Sequence, residues 1–174
     1  VFILHWYLSL FSQTFFLHRY AAHSMFRMNA FWEKFFYFFT WITQGSSYLS
    51  PYAYGILHRL HHAFTDTEND PHSPSYTKGL FPLMWKTKQI YGDINSDKFP
   101  VDDKFMKNLP MWRSFDRFVS SFGIRIAWGV IYFLFYLAFA TQWWMWLLFP
   151  ITCLMGPVHG AIINYFAHKY GYRN

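Results

Sequence analysis

The sequence predicts an all-α, integral membrane helical bundle with a cytoplasmic histidine-rich cap, and three observations predict it. Of the 174 residues, 53% are hydrophobic and 25% aromatic, while 14% are charged, against about a quarter charged in an ordinary soluble domain. The apolar residues are gathered into runs long enough to approach the width of a bilayer core. The histidines collect where those runs give way to polar sequence. The length suits one domain, 1–174, and is short for two.

Taken in order, residues 1–17 are nearly all apolar and lead straight into His18, as the end of a spanning helix does. Residues 24–50 are rich in aromatics, among them Phe31, Trp32, Phe35, Phe36 and Trp41, and close on Gly45-Ser46-Ser47. Residues 51–120 hold nearly all of the Asp and Glu. Residues 122–140 and 143–165 are two further apolar runs, parted by Thr141-Gln142 beside Trp143 and Trp144. Each is about long enough to cross a core of roughly 30 Å as a helix. Gly156 and Gly160 form a GxxxG, a weak signal for close helix packing. Cys153 is the one cysteine, which excludes an internal disulfide and a CxxC metal site.

Charge placement sets the expected topology. No Lys, Arg, Asp or Glu lies between Thr141 and Asn164, so the turn near Gln142 reads as extracytoplasmic. The basic residues fall in 19–34, in the loop running into Arg125, and at Lys169 and Arg173, which the positive-inside rule places together on the cytoplasmic side. The 34 residues between His23 and His58 are too few for two crossings, which need about 40 plus a turn. Residues 24–50 are therefore expected to lie in the interface. The net charge of +6 does not indicate nucleic acid, because the basic residues form no single patch and alternate with acids.

The chemistry lies in the histidines. His18 and His23 form HxxxxH; His58, His61 and His62 form HxxHH; His168 follows Asn164 by four residues. On a helix His58, His61 and His62 share one face, as do Asn164 and His168. His18 and His23 are about 140° apart on an ideal α-helix. They converge only if the helix frays, kinks or ends between them, or if they flank a metal pair from two sides. Six imidazoles thus approach one region from three helix ends, a donor set for iron, zinc, copper or nickel. His5 and His159 read as interfacial or core histidines. His72, between Pro71 and Pro74, reads as a turn residue before a ligand. Asp66, Glu68 and Asp70 read equally as orienting partners of the ligands or as a solvated turn.

Three segments together resemble the membrane fatty-acid desaturase family, in particular its bacterial acyl-CoA type. They are His18-Arg-Tyr-Ala-Ala-His23, the stretch from His58-Arg-Leu-His-His through Asp70-Pro-His72, and Asn164-Tyr-Phe-Ala-His168-Lys-Tyr-Gly. The resemblance implies a four-span fold with two non-haem irons (Fe). Its catalytic and metal-binding residues map onto His18, His23, His58, His61, His62 and His168, with Asn164 acting through water. It implies a fatty acyl substrate (acyl-CoA or acyl-lipid) in a kinked apolar tunnel, O2, and a cytochrome b5-like or ferredoxin-like electron donor. It implies a cis double bond as product. The setting would be the lipid bilayer, with the active site on the cytoplasmic side of a bacterial inner membrane. The family's third box, HxxHH after the last span, is not in this sequence. The expectation is therefore a piece truncated at both ends that does not complete a diiron site alone. Two rivals share parts of the pattern: a related lipid hydroxylase or ketolase, and a non-enzymatic membrane metal or haem carrier. Lys78, Lys86 and Lys88 read as topology signals before contacts to a CoA phosphate or an acidic electron donor.

Overall fold

The computed structural model describes residues 1–76 and 78–166, except for the side chains of Asn164 and Phe166. The described residues contain helices and turns and no strand, in agreement with the all-α expectation. Helix α1 (Phe2–Phe11) runs without interruption into a π-helical segment, Ser12–Ala22. The winding changes where polar residues interrupt the apolar run. Ser12 Oγ donates to Leu8 O at 3.0 Å and Thr14 Oγ1 to Leu10 O at 2.8 Å. Hydroxyls that bond back onto carbonyls one turn below compete with the backbone ladder, which favours the wider i→i+5 winding that follows.

Helix α2 (Ala30–Gln44) begins at Asn29, whose Oδ1 accepts from Trp32 N–H at 3.0 Å. It ends at Gly45, whose φ of 52° favours glycine. A Cβ there would also lie 1.8 Å from the Tyr132 hydroxyl. The 15 residues of α2 reach about 22 Å, short of a core of roughly 30 Å. In length, then, α2 agrees with a segment that does not cross.

Helix α3 (Pro51–Phe64) carries the HxxHH box. Ser50 caps it by accepting from Ala53 N–H, and Pro51 takes the first helical position. Gly55 lets α3 lie close against its neighbours: a Cβ would sit 2.5 Å from Leu109 Cδ2 and 3.4 Å from Ala21 O. Ala53, Ile56, Leu57 and Leu60 pack with Ile94 of α4 (Leu80–Asn95), Phe105 and Leu109 in one buried cluster. Each large apolar side chain buried there contributes about 1.5–3 kcal/mol. That cluster supports α3 from behind its histidines.

A buried polar knot fixes the turn between α2 and α3. Asp116, on α5 (Arg113–Val119), is fully buried and accepts from Tyr48 Oη at 2.7 Å and Ser50 Oγ at 2.9 Å. Burial lifts its carboxyl above the usual range despite those bonds. Arg125, in the first turn of α6 (Phe122–Phe139), donates to Ser46 O at 2.8 Å and Tyr48 O at 3.0 Å.

Among the described residues, α6 is the one helix long and apolar enough to cross a membrane, and only 11% of it is buried. The run 143–165 was expected to form one crossing helix and does not. It divides into a 3-10 turn (Trp143–Leu147), α7 (Leu148–Cys153), α8 (Met155–Ala161) and a π-helical turn (Ile162–Phe166). Pro157 is the physical reason for the break at Leu154: it has no N–H to offer Cys153 O, and its ring crowds that carbonyl. Ser46 Oγ donates to Cys153 O instead, at 2.7 Å. The GxxxG is half used. Gly156 N–H donates to Ser47 Oγ at 3.0 Å, whereas the space beside Gly160 is open.

Candidate metal centre

The π-helical segment resolves the spacing of the first box. His23 N–H donates to His18 O at 3.0 Å, an i→i+5 bond, so residues five apart stand one turn apart on one side. Their Nε2 atoms are 3.2 Å apart. Facing them, α3 presents His58 and His62, one α-turn apart, with Nε2 atoms separated by 3.0 Å. His23 Nε2 lies 3.1 Å from His58 Nε2. Four imidazoles from two helices thus converge; His18 and His58 are half-buried, and His23 and His62 are exposed on the open side.

Their spacing fits a metal better than it fits hydrogen bonding. The Nε2 of a neutral imidazole has either one proton or one lone pair. His23 and His58 each face two other Nε2 atoms with that single capacity. Ligands about 2.1 Å from one metal, at right angles to each other, lie about 3.0 Å apart. Burial, reinforced by His18, His62 and His23, pushes the His58 pKa far below its usual range. Its lone pair is thereby kept free of protons.

The second box does not present all three histidines to one point. On α3, His61 and His62 are about 100° apart, and the structure makes use of that angle. His61 Nδ1 donates to the carboxylate of Asp70, at 3.0 Å from Oδ1 and 2.9 Å from Oδ2. Asp70 is fully buried and accepts two more bonds, from Asp66 N–H at 2.9 Å and His72 N–H at 3.0 Å. Burial alone would raise its pKa, but the bonds from His61, His72 and Asp66 outweigh it and hold the carboxyl below its ordinary range. With Nδ1 as the donor, the tautomer implied by these bonds leaves the lone pair on His61 Nε2. The ring of His72 is buried 4.4 Å from that of His61, and His61, Asp70 and His72 make a second group of donor atoms beside the first.

Of the three acids, Asp70 orients a histidine, Asp66 accepts from Ser73 Oγ in the turn at 3.2 Å, and Glu68 is exposed. Helix α4 holds this turn, through Lys86 Nζ to Asp70 O at 3.0 Å and Thr87 Oγ1 to Pro71 O at 3.2 Å. Lys86 is therefore a strut for the Asp70 turn. His18, His58 and His72 line a cavity of about 190 Å³ together with Leu10, Leu57, Gly160 and Ile163. His5 and His159 stand apart from both groups. His5 lies against Tyr132, and buried His159 packs edge-on to Trp6 with Nδ1 3.3 Å from Gln13 Oε1. His168 and the side chain of Asn164 lie outside the described residues. Arg59, between two of the box histidines, has no role in the sequence reading; the structure gives it five hydrogen bonds. Its only signal in the sequence is an arginine set among metal-ligand candidates.

Comparison with curated proteins and with solved structures gave no match. Comparison with family models gave the fatty acid desaturase family, matched over residues 1–174. The chain belongs to the fatty acid desaturase family, a family of oxidoreductases of lipid metabolism.

Proposed function

We propose that this protein introduces a cis double bond into a fatty acyl chain, as acyl-CoA or acyl-lipid, at two non-haem irons held by the histidine boxes. The observation that carries the reading is the convergence of four Nε2 atoms with contacts of 3.0–3.2 Å, next to a separately oriented His61. The four converging donors would suit one metal, and the neighbouring His61 Nε2 would suit a second. His18, His23, His58 and His62 would hold the first iron. His61 would serve the second, with His168 and, through water, Asn164. Bound there, the two irons would supply dioxygen activation and the power to abstract hydrogen. The balance is one CH2–CH2 unit, O2, two electrons and two protons giving CH=CH and two waters. The electrons come from a cytochrome b5-like or ferredoxin-like donor.

The chain's own residues do the rest. Asp70 fixes the His61 tautomer, with the proton on Nδ1 and the lone pair on Nε2. Tyr54 stacks on His58, with centroids 5.7 Å apart and planes 8° from parallel, and limits rotation of that ring. The cavity that His18 and His58 help to line has an apolar wall suited to methylene groups and poor for water. A bilayer setting accounts for the outward apolar surface of α6 and for exposed Trp143 and Trp144 beside its end. The distribution of the basic residues supports a histidine cap on the cytoplasmic side, which would be that of a bacterial inner membrane.

The test is expression of the full-length protein in a host with a simple lipid profile, with fatty acids analysed by gas chromatography–mass spectrometry beside His61→Ala. A new monounsaturated chain that disappears in the variant is the expected result. A product heavier by one oxygen would replace the reading with a hydroxylase. A haem absorption band in the purified protein would replace it with a carrier.

A further inference from the structure

His23, the last residue of the first box, occupies an insecure position. It caps the π-helical segment at its C-terminal end, where backbone carbonyls lose their helical partners and helices fray. The next residue, Ser24, is left-handed at φ 51°, a conformation unfavourable for a non-glycine residue. Two bonds close the turn: Ser24 N–H to Tyr20 O and Met25 N–H to Arg19 O, both at 3.0 Å. Each spans one residue more than the corresponding bond of a Schellman ending, as the wider winding requires. These two backbone bonds are local to the turn and do not themselves hold it against α3.

That relation comes from Arg59. Its Nε donates to Ala22 O at 2.7 Å, and one terminal nitrogen donates to Ala21 O at 3.0 Å and Ser24 Oγ at 3.1 Å. The other terminal nitrogen donates to Phe105 O at 3.0 Å and Lys107 O at 2.6 Å. One planar fork thus ties the end of the first-box helix to the second-box helix and braces both on the 105–107 turn. Charge-assisted bonds of this kind are stronger than neutral ones, and the fork fixes direction as well as distance. We propose that Arg59 is the positioning residue that sets His23 against His58 and His62, so that the two boxes make one metal site. The proposal rests on the metal-centre reading above.

Cobalt(II) titrated into metal-free full-length protein, followed by its visible absorption, tests it in the wild type, Arg59→Gln, His23→Ala and the double variant. Loss of the arginine is expected to weaken cobalt binding about 10–100-fold and to change the ligand-field spectrum. In the His23→Ala background the same substitution is expected to change affinity less than about 2-fold, because its effect passes through His23. Equal losses in both backgrounds, or no loss, would overturn the proposal. Arg59→Lys is expected to resemble Arg59→Gln, since an ammonium has no planar fork; full recovery by lysine would also overturn it. If thermal unfolding shows that Arg59→Gln does not fold, Ser24→Gly removes one of the five bonds and relieves the left-handed residue. It is expected to show a smaller loss that vanishes with His23→Ala, and a loss persisting there counts against the proposal. Absence of cobalt binding by the wild type would instead remove the metal-centre reading itself, and this proposal with it.

Discussion

Asp70→Asn replaces a buried carboxylate with an amide of nearly the same shape. The carboxylate accepts from His61 Nδ1–H, Asp66 N–H and His72 N–H. The amide has one accepting oxygen, so its NH2 must face at least one of those donors. Hydrogen bonds to an ionised partner contribute about 1.5–3 kcal/mol each. Losing one and opposing another donor should lower the stability of the metal-free protein by about 2–4 kcal/mol. The metal feels the change through His61, which loses the partner that fixes its tautomer. An orienting partner of this kind is worth about 10–100-fold in metal affinity, or about 1.4–2.7 kcal/mol. The pH dependence provides a second signature. The Asp70 pKa is held below its ordinary value. Its contribution is therefore full above about pH 4 and is lost as the pH falls through the lower folded-state value. Thermal unfolding of wild type and variant through that range should show the gap closing toward acid, and cobalt titration at neutral pH should show the loss of affinity. Curves that stay parallel in pH, together with unchanged affinity, would refute the assignment of Asp70 as the orienting group.

Asp116→Asn should behave in the opposite sense. Burial raises the Asp116 pKa, so the wild type loses stability as the pH rises through that value, and the gap to the variant should shrink from acid to neutral pH in thermal melts. Gly45→Ala must place a Cβ 1.8 Å from the Tyr132 hydroxyl at φ 52°. It should cost at least about 3 kcal/mol by overpacking and backbone strain, and Tyr132→Phe should restore only part of the loss. Gly160→Leu should extend into the open space at the wall of the cavity. Metal affinity should stay within about 2-fold of wild type, while chromatography shows the long-chain product reduced or its chain length shifted. An unchanged product profile would mean that this cavity does not receive the acyl chain.

The helical class and the histidines were legible in the sequence because they depend on local signals: long apolar runs, and HxxHH spaced for one helix. The convergence of His18 and His23 was posed by the sequence without being solved. Five residues suit neither face of an α-helix, and the answer is a winding that propensity does not predict, although Ser12 and Thr14 mark where it begins. The divergence of His61 from His62 was present in their 100° offset, but the buried carboxylate that exploits it becomes evident only once Asp70 folds back against α3. The role of Arg59 depends on carbonyls 37 or more residues away in sequence, which no local pattern encodes. The run 143–165 has the hydropathy of one long helix, but Pro157 leaves Cys153 O without its helical donor, and that carbonyl accepts from Ser46 Oγ of a distant turn.

The π-helical segment also bears on which sequences could build the same site. A helix wound i→i+5 returns to a given side one residue later than one wound i→i+4. Removing one residue between Arg19 and Ala22 would therefore leave two histidines four apart, the spacing an ordinary α-turn brings to one side. The segment could relax to α winding and keep both imidazoles in place. Winding and spacing act here like the two scales of a vernier, so a change of one residue is absorbed as pitch and the ligand positions are spared. Helix α3 shows the other setting of the same scale: His58 and His62, four apart, meet by ordinary α winding, with Nε2 atoms 3.0 Å apart, and one residue inserted between them would create the spacing of five that the first box meets with a wider turn.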